Sequence, residues 1–273
     1  MRNLIVQVDI PGKVTDNVMH GYFDSLYETS KIQFAQYAKI VGADYLCIHC
    51  SRYPLHPTYE RFQIFEEEFE QYDNILYVDC DIVPSADAKD IFREYEGKDF
   101  VAFSEGAVFY GNNKEISEKL KISGRMENII KRRTDKGYIQ EESQYLSNEW
   151  LENQYFNGGV FLVSKNARRI VRNAGLNNYL QAFSLFDQSA MNKMIFELNI
   201  PFTQLSYKFN GLFHFYDNEK KSKVISSSYF IHFCGPMKNI YNELVNVYGK
   251  EWFNCRLSQQ EIMDVVVRCA AVI

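Results

Sequence analysis

The chain has 273 residues, of which 46% are hydrophobic and 15% aromatic, so it can bury a full core in one large domain. Its formal net charge is −5 and no block of Lys and Arg occurs, which disfavours nucleic-acid binding as the main function. No apolar run approaches the roughly 20 residues that span a bilayer.

The chain start and the cysteines favour a cytoplasmic location. Residues 1–8 enter a short apolar run and lack the long apolar stretch and cleavage site of a signal peptide. No Asn-x-Ser/Thr sequon occurs, and the lone C-x-x-C pair, Cys47 and Cys50, lies in a strand-like run, which favours buried free thiols over a zinc or redox site. The apolar run 265–273 favours a packed helix over a membrane-associating tail.

The first hundred residues alternate short apolar runs with segments of helical periodicity. The patterns predict strands over 4–8, 45–49, 75–78 and 100–103, and helices over 25–41 and 59–72. The second helix is predicted because aromatic residues recur in it at three- and four-residue steps. Strands and helices alternating at this spacing predict an α/β fold with a parallel, doubly wound sheet.

The second half is less regular. Residues 111–149 are charged and weakly periodic, which indicates a variable excursion. Further patterns predict strands over 159–163 and 229–233, helices over 165–173 and 187–198, and a last helix that a capping box at 258–261 begins. We therefore expect one domain over 1–240, with an excursion at 111–150, and a C-terminal helical segment over 241–273.

The third predicted strand ends in two carboxylates, in the stretch ILYVDCDIVP. Asp79 and Asp81 lie two residues apart, so their side chains point the same way at the sheet edge where α/β ligands bind. A divalent cation there would offset their repulsion. Alternatively, one carboxylate caps a turn, or Asp79 is the nucleophile of a D-x-D-x-V phosphatase. The phosphatase motif usually follows the first strand and needs a later acidic pair, and this chain has no Asp-Asp pair.

A second polar cluster closes the last predicted strand, in HFCGPMK. His232 can supply an imidazole ligand, which suits manganese better than magnesium. Gly235 allows close approach of a phosphate, and Lys238 places a cation on it. Taken singly, these residues are equally typical of a core histidine, a turn and a surface charge. Their joint spacing favours the site.

Four motifs in order between residues 58 and 238 resemble those of family 8 glycosyltransferases, including the galactosyl-, glucosyl- and glycogenin-type members. They are Thr58-Tyr59-Glu60-Arg61 leading to the D-x-D motif, Tyr155-Phe156-Asn157-Gly158-Gly159-Val160, Asp187-Gln188-Ser189-Ala190-Met191-Asn192, and His232-x-x-Gly235-x-x-Lys238. The resemblance implies a GT-A, Rossmann-like fold.

The resemblance also assigns roles by position. Asp79, Asp81 and His232 resemble the metal ligands, Gly235 and Lys238 the diphosphate contacts, Arg61 a donor-side cation, and Asp9 the residue that contacts the base or ribose, although its neighbours depart from the family pattern. Asn157, Gly158, Asp187 and Gln188 resemble residues of the sugar and reaction centre. Simpler interpretations are a turn at 157–159, a helix cap at Asp187, and a solvated Arg61 paired with Glu67 or Glu68.

These roles imply a metal-dependent glycosyltransferase. It would use Mn²⁺ or Mg²⁺ to move a sugar from a nucleoside diphosphate sugar, with UDP expected, to a hydroxyl of a glycan, glycoprotein or small molecule. Family members retain anomeric configuration, either by same-face attack with Gln188 stabilising positive charge, or through Asp187 as nucleophile. The acceptor site is expected in the 111–150 excursion. A phosphatase and an inactive nucleotide-sugar-binding scaffold remain alternatives, and no pattern indicates an oligomeric state.

Overall fold

A computed structural model of the chain describes residues 1–10, 20–112, 115, 131, 133–213, 216–254 and 257–270. Its strands are β1 (Asn3–Val8), β2 (Asp44–Ile48), β3 (Asn74–Val78), β4 (Ile82–Pro84), β5 (Phe100–Ser104), β6 (Phe156–Ser164), β7 (Phe202–Gln204), β8 (Gly211–Leu212) and β9 (Phe230–His232). Its α-helices are α1 (His20–Val41), α2 (Ile91–Glu94), α3 (Glu105–Phe109), α4 (Tyr138–Glu142), α5 (Asn148–Asn153), α6 (Lys165–Ala174), α7 (Phe186–Glu197), α8 (Asn218–Ser227), α9 (Lys238–Tyr248) and α10 (Gln259–Ala270). Much of the predicted excursion 111–150 and the chain end at 271–273 lie outside the described residues.

Six strands form the main sheet in the order β2-β1-β3-β6-β5-β7. Parallel pairing joins β1 to β2 and to β3, and β5 to β7, whereas β6 pairs antiparallel with both β3 and β5. Within this sheet β6 is the strand that runs against the others. The predicted α/β class with a mostly parallel sheet is therefore confirmed.

Each face of the main sheet carries its own apolar core. On β1, Ile5 packs on one face together with Leu76 of β3, while Leu4 packs on the other face together with Ile75. Side chains alternate between the faces of a strand, so a sheet that is covered on both sides needs apolar residues at successive positions. This requirement explains why the strands are continuous apolar runs in the sequence.

The prediction of an α-helix over residues 59–72 is wrong. This segment forms 3₁₀ turns at Pro57–Phe65 and Glu67–Phe69, separated by Glu66 in an extended conformation. Every residue from position 59 to position 65 is buried, so this part of the segment has no solvent face of the kind that an amphipathic helix presents. Glu60, for example, turns inward and accepts two backbone N–H groups of the preceding loop.

A second sheet, in the order β4-β9-β8, brings the two polar clusters of the sequence together. The predicted strand over 229–233 belongs to this small sheet as β9. It pairs antiparallel with β4, so that His232 lies opposite Ile82. Because Ile82 directly follows Asp81, this register places the histidine beside the carboxylate pair.

The C-terminal part of the described chain is helical. Helix α10 packs against α8 and α9. The predicted capping box is confirmed, since the backbone N–H of Ser258 donates to Glu261 Oε2 at 2.8 Å and Ser258 Oγ accepts from the backbone N–H of Glu261 at 3.3 Å. Across the described part of the chain, every helix is too short or too polar to cross a bilayer.

We expect Ser258→Ala to lower the free energy of unfolding by about 1 kcal/mol, because it leaves a helix N–H without its cap. Chemical denaturation measures this change. Ser226→Ala is the matched control, since the exposed Ser226 hydroxyl only donates back to the Lys223 carbonyl within α8. An equal decrease in the free energy of unfolding in the two variants would show that the capping box does not stabilise α10.

Candidate active site

The site lies at one edge of the main sheet, where strands running in the same direction all end. Asp9 follows β1, Asp79 follows β3 and Glu105 follows β5. The reversed strand β6 begins at this edge and brings Asn157 there. The backbone N–H of Asp79 donates to the carbonyl of Gly159 at 2.8 Å, which joins the two strands beside the first carboxylate. The direction of the strands thus brings residues from distant parts of the chain to the same edge of the sheet.

Asp79, Asp81 and His232 offer ligand atoms that all lie within 4.8 Å of one another. His232 Nε2 is 3.3 Å from Asp81 Oδ1. This carboxylate oxygen is buried and has no hydrogen-bond partner in the described part of the chain. A buried carboxylate oxygen without a partner is costly, so the arrangement fits a cation between the three side chains.

The tautomer of His232 also fits a metal. Its Nδ1 lies 2.8 Å from Asn210 Oδ1, which can only accept, so Nδ1 carries the proton and donates it. Asn210 is oriented in turn because its Nδ2 donates to Asn157 Oδ1 at 3.0 Å, an oxygen that also accepts the N–H of Gly159. In the neutral ring, His232 Nε2 then presents a lone pair to the carboxylates. Two carboxylates and a neutral imidazole suit Mn²⁺ well.

The two carboxylates differ in their electrostatic environment. Burial, reinforced by the neighbouring Asp81, raises the pKa of Asp79 even though Arg61 acts against it. Burial acts in the same direction on Asp81, but His232 in its protonated form and Lys238 outweigh it and hold the pKa of Asp81 below its usual range. Asp79 Oδ1 accepts from the hydroxyl of Tyr77 at 2.7 Å. A divalent cation would favour the ionised form of both.

Arg61 is buried at the centre of the site, so its interpretation as a solvated charge paired with glutamates is wrong. Its side chain is 6% exposed, with Nη2 3.0 Å from Asp79 Oδ1 and Nε 2.8 Å from Asp187 Oδ2. Its Nη1 donates to the Gly158 carbonyl at 2.5 Å, and the guanidinium stacks over the Tyr77 ring. One cation thus joins the D-x-D motif, β6 and α7.

The interpretation of Asp187 as a helix cap is wrong as well. Helix α7 begins at Phe186, and its N-cap, Leu185, makes no side-chain capping bond. The Asp187 carboxylate is buried and turns instead toward Arg61. A buried carboxylate needs a compensating charge more than a helix end needs a cap, since the exposed N–H groups can bond water.

Residues 157–159 lie within β6, so their interpretation as a turn before the strand is wrong. A Cβ on Gly158 would lie 2.6 Å from Arg61 Nη1, and one on Gly159 would lie 2.5 Å from His232 Cε1. Both contacts are too close for any side chain. The glycines let Arg61 and His232 approach the strand backbone.

Lys238 is the first residue of α9 and is not a surface charge. Its Nζ lies 3.5 Å from Asp81 Oδ2 and donates to the hydroxyl of Tyr27 at 3.0 Å. Burial alone would lower the pKa of Lys238, but Asp81 and Tyr27 more than offset it. The pKa of Lys238 is therefore raised, and the ammonium form is favoured. Gly235 is exposed in the turn before α9 and has a φ of 55°, in the left-handed region that favours glycine.

Asp9 and the D-x-D motif line the same cleft, which has a volume of about 240 Å³. Lys31 Nζ donates to Asp9 Oδ2 at 2.6 Å. The cleft is lined by Val8, Asp9, Ile10, Tyr27, His56, Pro57, Thr58, Arg61, Tyr77, Asp79, Cys80 and Asp81. Its lining combines ionisable groups with apolar and aromatic side chains, which suits a ligand with a charged group and a planar ring.

Other residues singled out by sequence are not in this cluster. Cys47 and Cys50 are free thiols, but Cys50 is exposed, so the expectation that both are buried is wrong. Glu105 and Asn210 are the contributors that sequence reasoning missed. Glu105 had a signal, because it follows a strand that ends at the same edge as β3.

Comparison with known proteins identifies the family. The family profile named Glycosyl transferase family 8 matches residues 22–239. No curated protein matches the chain in sequence. The family match sets aside the phosphatase interpretation of the D-x-D-x-V motif.

Several solved structures are similar to this chain at low identity. One is a glycosyltransferase involved in glycosylation of the major capsid of PBCV-1, with 13% identity over 98% of this chain and 100% of that one, at a TM-score of 0.49. The glycosyltransferase GlyE of Streptococcus pneumoniae TIGR4 has 13% identity over 99% of this chain and 64% of that one, at 0.45. The galactosyltransferase LgtC, solved with donor and acceptor sugar analogs, has 13% identity over 96% and 95%, at 0.42.

The profile covers most of the chain, including all four motifs, and the sheet described above is the mostly parallel α/β sheet expected of the GT-A fold. The chain belongs to glycosyl transferase family 8 and is a glycosyltransferase of the GT-A fold.

Proposed function

We propose that this glycosyltransferase moves a sugar from a nucleoside diphosphate sugar, with UDP as the nucleotide, to an acceptor hydroxyl, using Mn²⁺ or Mg²⁺ and retaining the anomeric configuration. The observation that carries the proposal is the convergence of Asp79, Asp81 and His232 around a buried oxygen without a hydrogen bond in the described chain, beside Lys238. Asp79 and Asp81 line a cleft that Asp9 also lines.

Asp79, Asp81 and His232 would hold the cation. A bound Mn²⁺ or Mg²⁺ supplies Lewis-acid stabilisation of the charge on the leaving diphosphate. Lys238 adds a second positive charge at the same place, and it begins α9, whose positive dipole end also favours an anion. The exposed Gly235 leaves room for a phosphate beside that helix start. Electrostatic stabilisation of this kind usually makes the largest single contribution to the rate of such a transfer.

In the transfer, the acceptor oxygen forms a bond to the anomeric carbon as the bond to the diphosphate oxygen breaks. The bonding electron pair leaves with the diphosphate, and the hydroxyl proton passes to a diphosphate oxygen on the same face. Gln188, which reaches the site from α7, would stabilise positive charge on the sugar with its amide oxygen. The ion pair between Asp187 and Arg61 makes Asp187 a poor nucleophile, which favours this same-face route.

Asn157 and Gly158 lie between the metal cluster and Gln188, so the donor sugar would sit over the start of β6. Asp9, which lines the same cleft, would contact the ribose or base. The acceptor would enter from the side of the 111–150 excursion, because the described part of that segment joins the cluster around Gln188 through Arg133 and Glu105. A glycan, glycoprotein or small molecule would fit this role.

A panel of nucleoside diphosphate sugars, assayed with Mn²⁺ for release of the free diphosphate, tests the proposal. We expect release from a UDP-sugar to be stimulated by Mn²⁺, with retained configuration in the product by NMR. Cleavage of a generic phosphomonoester that Asp79→Asn abolishes would instead indicate a phosphatase. Donor binding without release or transfer to any acceptor tried would indicate an inactive scaffold.

A further inference from the structure

Glu105 lies directly behind the proposed reaction centre and has no role in the family resemblance. It is buried at the start of α3, immediately after β5 ends. Its Oε1 accepts from Asn157 Nδ2 at 2.9 Å, and its Oε2 accepts from Gln188 Nε2 at 3.2 Å. One carboxylate therefore holds the amide groups of both side chains that flank the proposed sugar position.

The contacts of Gln188 determine which way its amide faces. The backbone N–H of Gly158 donates to Gln188 Oε1 at 3.2 Å, and the Glu105 carboxylate can only accept. With a donor on one side and an acceptor on the other, only one of the two amide orientations satisfies both contacts. Asn157 Nδ2 also donates to Gln188 Oε1, at a longer 3.4 Å, whereas Glu105 is the group that accepts from the Gln188 NH₂.

Arg133 holds Glu105 from the side of the excursion. Its Nη1 lies 3.7 Å from Glu105 Oε2, and its Nη2 lies 3.0 Å from Glu142 Oε2. Glu142 also accepts from the hydroxyls of Tyr155 and Ser189, so Arg133 is anchored independently of Glu105. The arginine balances the charge of Glu105 at a buried position.

We propose that Glu105 is a positioning residue, whose carboxylate fixes the amide orientation of Gln188 so that its oxygen, and not its NH₂ group, faces the sugar during transfer. The role of Gln188 in this statement rests on the proposed function. An inverted amide would present N–H dipoles to developing positive charge. Misorientation of a reacting group costs about 100-fold in rate.

Glu105→Gln tests the proposal while conserving shape. The new side chain has one acceptor oxygen for two donors, so either Asn157 or Gln188 must lose its bond. Asn157 is also held by Gly159 and Asn210, so the loss falls on Gln188. We expect kcat for Mn²⁺-dependent UDP-sugar hydrolysis to fall about 100-fold, with KM for the donor within about threefold of the wild type.

Glu142→Gln is the matched control. It changes the other carboxylate on Arg133 but leaves both amides on Glu105 untouched, so we expect kcat to stay within about threefold of the wild type while the melting temperature falls. If kcat drops equally in the two variants, the effect is a general one of the buried network and the positioning role is overturned.

A second readout separates this inference from the proposed function. The side-chain amide protons of Gln188, assigned in NMR spectra through a Gln188→Glu variant, should be shifted downfield by the carboxylate in the wild type and should lose that shift in Glu105→Gln. If the wild type turns over no donor, the proposed function fails, and the amide signal alone decides the positioning claim. An unchanged Gln188 signal in Glu105→Gln overturns it.

Discussion

Asp81→Asn is expected to lower Mn²⁺-dependent kcat/KM for the donor by at least about 100-fold. The substitution removes a negative charge from the proposed metal ligands. It also replaces the carboxylate, whose Oδ1 is buried and has no hydrogen-bond partner in the described residues, with a neutral amide. It also takes from Lys238 the carboxylate that lies 3.5 Å from its ammonium group. Steady-state release of the nucleoside diphosphate, measured over a range of Mn²⁺ concentrations, gives the change.

Asp264→Asn provides the control for charge. Asp264 is exposed on α10, where it accepts from Gln260, so the variant has the same change in net charge and is expected to keep wild-type turnover. Unfolding curves recorded in EDTA check that Asp81→Asn still folds. If the Asp81→Asn variant turns over the donor as fast as the wild type at any Mn²⁺ concentration, Asp81 is not a metal ligand.

Arg61→Met is expected to lower the free energy of unfolding by about 3–5 kcal/mol, because it leaves two buried carboxylates without their cation. Asp79 and Asp187 are both within 3.0 Å of the guanidinium, and Asp81 adds a third negative charge nearby. Methionine keeps much of the side-chain volume, so the loss reports charge and hydrogen bonding more than packing. Urea denaturation of the metal-free protein measures it.

The control for this variant is Arg52→Met. Arg52 is 39% exposed and pairs with Glu68 on the surface, so its replacement should cost at most about 1 kcal/mol. Adding Asp187→Leu to Arg61→Met should restore part of the lost stability, since it removes one of the stranded charges. Equal costs for Arg61→Met and Arg52→Met would contradict the central position given to Arg61.

Much of the sheet edge was predictable because elementary rules govern it. The apolar run before Asp79 predicts a buried strand, and the carboxyl ends of parallel strands meet at one edge. These rules place Asp79 and Asp81 in a site without knowledge of the fold. They apply equally to Glu105 after β5, but a single glutamate belongs to no motif and therefore went unnoticed.

Other features depend on partners that are distant in sequence. The aromatic repeat at 59–72 suits both an amphipathic helix and 3₁₀ turns in which residues 59–65 are all buried, and only the surrounding structure decides between them. Asp187 stands where a capping residue would, but Arg61, more than a hundred positions earlier, attracts its carboxylate. Asn210 acquires its importance only through contact with His232. Local patterns do not encode such pairings.

The small sheet was missed for a related reason. Strands β4 and β8 contain three and two residues, too few for a periodic pattern. Their pairing with β9 nevertheless brings His232 beside Asp81, so the metal cluster depends on contacts that no segment shows by itself. In the sequence, only the resemblance to the family motifs indicated that His232 and Asp81 lie side by side.

The proposed mechanism requires a cation held by Asp79, Asp81 and His232 against a diphosphate. Calorimetric titration of UDP into the wild-type protein, with saturating Mn²⁺ and again with EDTA, tests this most directly. We predict binding in Mn²⁺ that weakens at least about tenfold in EDTA, as expected for a ligand held partly through the metal. UDP binding of equal strength in the two conditions, or none in Mn²⁺, would contradict this mechanism.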